Sequence, residues 1–177
     1  MFGSQVAALY QLADQYQVQS ALTQLHNVVT VTSFKLEALT LLMPTVAALV
    51  DTAMQLRTLL AGHAAMQIGA IVKQPECVKQ WGLLEVQLIM QSPYVKPYQG
   101  LLVAAAWLSG DAERLQQWPE LEKRVQLARV TYEELRSLQE QQDVLALPGM
   151  AAALFKDCIR RMDSCRIRSA YNAPSFN

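Results

Sequence analysis

The sequence predicts an all-α fold, an irregular bundle of about six or seven helices with a longer charged helical arm. Three observations carry that expectation. Apolar residues recur at three- and four-residue steps through nearly every segment. Prolines and glycines fall mostly singly, where helices would begin or end. Of the 177 residues 52% are apolar and 17% charged, with a mean hydropathy of +0.12, which supplies a core and excludes a disordered or collagen-like chain.

The first helix is expected from Gln5 to about Val29, with Leu9, Leu12, Tyr16, Leu22, Leu25 and Val29 in helical register. The β-branched run Val28-Val29-Thr30-Val31-Thr32 predicts an extended or frayed end. Thr32 or Ser33 then caps a second helix from Phe34 toward Ala61, kinked or divided at Pro44 and stopped by Gly62. Residues 38–50 are its most apolar part, but this run of 13 residues is shorter than a bilayer span of roughly 18–20 residues. Its extension brings in Glu37 and Asp51, so a buried central helix is the better reading, with Asp51 at its exposed edge. In a membrane Asp51 would instead be a proton-carrier candidate.

A short helix follows from His63 to Val72, and Pro75 opens another through about Gln91, with Cys77, Val78, Trp81, Leu84 and Leu88 on one face. Ser92 to Tyr98, with two prolines and two tyrosines, is the clearest break; it reads as an interhelical loop, and less well as a docking strip, because it lacks a PxxP spacing. Helix resumes over Leu101 to Leu108 and stops at Gly110, and Asp111 caps a short helix through Gln117. Pro119 opens the charged arm to about Leu145, in which Leu121, Val125, Ala128, Tyr132 and Leu135 follow coiled-coil steps and predict a buried seam. Pro148-Gly149 ends it, and Met150 to about Ser169 forms the last helix. No internal repeat is found.

Charge divides the chain. Residues 1–110 hold 10 of the 30 charged side chains and residues 111–177 the other 20, a charge-poor helical core region and a charged C-terminal region expected to share one domain. Before the first lysine, Lys35, polar positions are filled by Gln5, Gln11, Gln15, Gln17, Gln19 and Gln24. Glutamine hydrogen-bonds without the desolvation cost of a charge, which suits a face that meets another protein. Gln11, Gln15, Tyr16 and Gln19 are the expected partner-binding residues.

Chemistry is thinly signalled. Cys77, Cys158 and Cys165 show no CxxC spacing, and His26 and His63 lie in no HxxxH or nucleophile-elbow context. No glycine-rich phosphate loop is present, and no catalytic, cofactor or metal site is assigned. The cysteines read as reduced and structural, Cys158 and Cys165 sharing an apolar stripe with Leu154 and Met162. Lys156, Arg160, Arg161, Arg166 and Arg168, against Asp157 and Asp163, form a basic patch that reads better as a solvated face than as a phosphate-binding one, with Asp157 and Arg161 paired at i,i+4. Zero net charge argues against a nucleic-acid partner.

These features predict a non-catalytic helical subunit of a larger protein assembly, such as a secretion apparatus, a virion or an organellar complex, joined to other chains of its own or a different kind. The alternative is a membrane-associated subunit with residues 36–72 inserted or interfacial. No secretory signal is read in residues 2–34, which favours an intracellular or virion-associated location over general export.

Overall fold

The computed structural model describes residues 2–31, 34–47 and 54–171, with backbone only at 2–4, 7, 31 and 163–171. The fold is all-α, 80% helical and without strands among the described residues. Its helices are shorter and more numerous than the sequence predicts, and the places where they break explain the difference.

The first expected helix is two, α1 (Phe2–Gln15) and α2 (Gln19–Val31). Gln17 adopts φ 53°, the left-handed conformation that usually marks a glycine. Around it the Val18 amide donates to Ala13 O at 2.8 Å and the Gln17 amide to Asp14 O at 3.0 Å, the paired bonds of a Schellman stop. The β-branched run does not extend the chain: α2 continues through Val31, Val29 is buried, and the Thr30 hydroxyl donates back to His26 O at 2.8 Å. The proposed caps Thr32 and Ser33, and Asp51, lie outside the described residues.

Pro44 sits inside α3 (Leu36–Ala47), and α4 (Met54–Met66) runs straight through Gly62, which is therefore no stop. The turn comes at Gln67, whose side-chain Nε2 donates to Phe34 O at 2.5 Å. α5 (Ile68–Lys73) replaces the helix expected from His63, and Pro75 opens a 3-10 turn (Pro75–Gln80) rather than a helix to Gln91. Trp81 and Gly82 are extended, and α6 (Leu83–Gln91) starts afresh. The break is held by tertiary contacts. Trp107 on α7 (Pro97–Leu108) donates its indole N–H to Trp81 O at 2.6 Å, and Gly82 leaves the space that the buried Glu85 carboxylate fills. Glu85 binds Arg57 of α4 at 2.5 Å.

The break expected over Ser92 to Tyr98 is a loop only to Lys96, because Pro97 already opens α7, and Asp111 does cap the next segment, a 3-10 turn (Ala112–Gln117), by accepting from the Glu113 amide at 3.0 Å. The long charged arm does not exist. Residues 119–145 are split among α8 (Trp118–Glu122), a 3-10 turn (Leu127–Arg129), α9 (Tyr132–Leu138) and α10 (Gln142–Leu145). Leu121 and Leu135 are buried, yet Ala128 and Tyr132 are exposed, so the expected seam is not continuous. Thr131 starts α9 with a capping box, its hydroxyl accepting from the Glu134 amide at 3.2 Å while its own amide donates to the Glu134 carboxylate at 2.9 Å. The preceding turn is satisfied from α11 (Met150–Tyr171): Arg161 donates to Leu127 O at 2.8 Å and to Val130 O. Nor does this region face solvent throughout, because Leu121, Val130, Leu135, Leu138, Val144 and Leu147 join a core that runs from Val6 to Cys158.

Candidate protein-binding face

α1 has two apolar faces. Val6, Tyr10 and Ala13 are buried where α1 packs on α3. Leu9, Leu12 and Tyr16 lie about a quarter-turn away, at the next three- and four-residue steps, and are exposed, Tyr16 by 70%. Gln11 and Gln15 stand one turn apart on the side farthest from the core, also exposed. Gln19 lies across the elbow at the start of α2, where it lines a groove of about 560 Å³ with Tyr10, Leu22, His26 and Met54.

The four residues expected to bind a partner are thus all at the surface, though not as one patch. Tyr16 belongs to the apolar stripe, Gln11 and Gln15 to its amide flank, and Gln19 to the groove. Asp14 is the sole Asp, Glu, Lys or Arg before Lys35. Burial raises the Tyr10 hydroxyl above its ordinary value, with the Asp14 carboxylate adding to the effect, so Tyr10 stays neutral at physiological pH. Such a face can pack against another helix without stripping water from charges.

The basic residues of α11 point different ways. Lys156 is exposed, Arg160 is exposed and pairs with Asp157 at 2.8 Å, and Arg161 pairs with the same carboxylate at 2.8 Å while reaching inward to two backbone carbonyls. The side chains of Arg166, Arg168 and Cys165 lie outside the described residues. Sequence reasoning missed a second uncovered stripe on α11, formed by Phe155, Ile159 and Met162, with Phe155 64% exposed. The signal was present: Leu154, Phe155, Cys158, Ile159 and Met162 make an apolar arc wider than one core contact uses.

Cys158 is buried and accepts a weak bond from the Gln139 amide at 3.4 Å. Cys77 is partly buried, and burial pushes its thiol up, away from the reactive thiolate. Among the described residues no three His, Cys, Asp or Glu side chains come together as a metal site would need, and no helix is long and apolar enough to cross a membrane. No protein-family model, curated protein or solved structure matches the chain.

Proposed function

We propose that this chain is a non-catalytic helical subunit of a larger protein assembly, of the kind found in a secretion apparatus, a virion or an organellar complex. It docks on other chains, copies of itself or different ones, through the α1–α2 face. The observation that carries the reading is the exposed stripe Leu9, Leu12 and Tyr16, set in a region almost free of charge. A lone surface leucine is ordinary; a helical stripe flanked by amides is what a partner helix packs against.

Association by residues 36–72 with a membrane is less well supported. Leu36, Leu39, Leu42, Met43, Val46, Leu56 and Leu60 are buried in the fold, and insertion would have to withdraw them from it. The test is the pair Gln11→Lys and Gln15→Lys, with Tyr16→Asp as a second variant, followed by size-exclusion chromatography, native co-purification and vesicle sedimentation. Wild type is expected to associate and both variants to lose association while keeping wild-type helix content, since Lys and Gln have similar helix propensity. Association unchanged in both variants sinks this face, and sedimentation with vesicles favours the membrane reading.

A further inference from the structure

We propose that the cleft between the Ser92–Lys96 loop with the start of α7 and the turn after α8 binds a phosphate monoester. The cavity is about 630 Å³, within the roughly 300–1,000 Å³ of small-ligand sites. Pro93, Val95 and Pro97 form one wall, and the rings of the two prolines fix the backbone there. Lys123, Arg124 and Arg129 supply three positive charges, and no carboxylate is among the lining side chains.

Arg124 is the anchor. It is partly buried, and its Nη2 donates to Gln87 Oε1 at 3.2 Å, but its Nε is buried and has no hydrogen-bond partner. That unused donor lies behind the cleft wall, out of reach of solvent, so an oxyanion in the cleft would meet the charge of Arg124 and its remaining N–H groups rather than its Nε. Lys123 and Arg129 flank it from exposed positions. Lys123 is held by Glu120 at 2.8 Å and Arg129 by the Gln126 side-chain oxygen Oε1 at 2.9 Å, contacts in solvent that exchange easily. Glu120 is the competing acid: its bond to Lys123 first, and more weakly the charge of Arg124, hold its carboxyl below the usual range. It is exposed and outside the cavity lining. Two guanidinium groups and one ammonium match the dianionic, three-oxygen head of a phosphate monoester better than a single carboxylate.

The monoester can come from a free small ester or from a phosphorylated side chain of a partner. The experiment is calorimetric titration of the full chain, at fixed ionic strength, with phosphoserine, serine, and one short peptide in phosphorylated and unphosphorylated forms. Phosphoserine is expected to bind and serine not. Arg124→Gln, Arg129→Gln and Lys123→Gln should each weaken binding about tenfold or more, and Lys156→Gln, on α11, should not. The exposed pair Lys123 and Arg129 keeps the test decisive if Arg124→Gln does not fold. A phosphopeptide bound more tightly than phosphoserine identifies a modified partner, and equal affinities identify a free ester. Absence of phosphoserine and phosphopeptide binding, or binding undiminished in Arg129→Gln and Lys123→Gln, overturns the proposal. None of these residues belongs to the α1–α2 face, so the two proposals fail separately.

Discussion

The Arg57–Glu85 pair sets the terms at the scale of single residues. Glu85 is 1% exposed, and its ion pair with Arg57 joins α4 to α6. Its second oxygen has no hydrogen-bond partner and occupies the space beside Gly82. Burying a carboxylate is tolerated because a guanidinium meets it; remove that cation and the desolvation cost stands alone. Arg57→Ala is therefore expected to cost about 3–5 kcal/mol, read as a lowered urea midpoint. The double variant Arg57→Met with Glu85→Leu should recover much of that loss, since it removes both charges. A loss below about 1 kcal/mol in Arg57→Ala would mean that water reaches Glu85. Gly82 is needed here for space rather than for backbone freedom, its φ being −79°. A single sequence gives no sign of that.

At the scale of elements, helix existence was legible and helix termination often was not. Apolar spacing found the helical segments because each must bury one side. Stops written locally were legible too: Gly110, Asp111 and Pro148-Gly149 act where the sequence placed them. Two of the missed stops depend on groups far away in the chain. Trp107 satisfies the carbonyl of Trp81, and Arg161 satisfies those of Leu127 and Val130. Without such donors a local pattern reads as continuous helix, which is how residues 119–145 came to be expected as one arm. The candidate face was legible only as a surface: glutamine in place of charge led to α1, whereas Leu9 and Leu12 read equally well as core and are exposed. Gln17 breaks α1 from α2 at a left-handed position without being glycine, so Gln17→Gly should raise stability by up to about 1 kcal/mol, measured by thermal or urea unfolding. A destabilised variant would show that the Gln17 side chain contributes more than its backbone strain costs. Ala128, exposed on its 3-10 turn, should accept Ala128→Glu within about 0.5 kcal/mol. Melting sharply lower in that variant would restore the buried seam.

On the scale of the whole molecule the two proposed surfaces differ in the forces they can exert. The α1 stripe is apolar with amide flanks, whereas the cleft near Arg124 is cationic. Raising salt from about 0.05 to 0.5 M shortens electrostatic range severalfold but leaves apolar burial intact or strengthened. Association through α1 should therefore persist in high salt, as followed by light scattering, while phosphoserine binding weakens. Dissociation at high salt would point to ionic contacts, and so away from α1. The tryptophans supply an optical way to tell these events apart. All three, Trp81, Trp107 and Trp118, are buried, and none lies in α1 or α2. Their emission should be blue-shifted in the folded chain, shift red only when the interior opens, and stay dark to anything that settles on the α1–α2 elbow. A change in particle size at constant emission colour would then be docking, and a change in both would be unfolding.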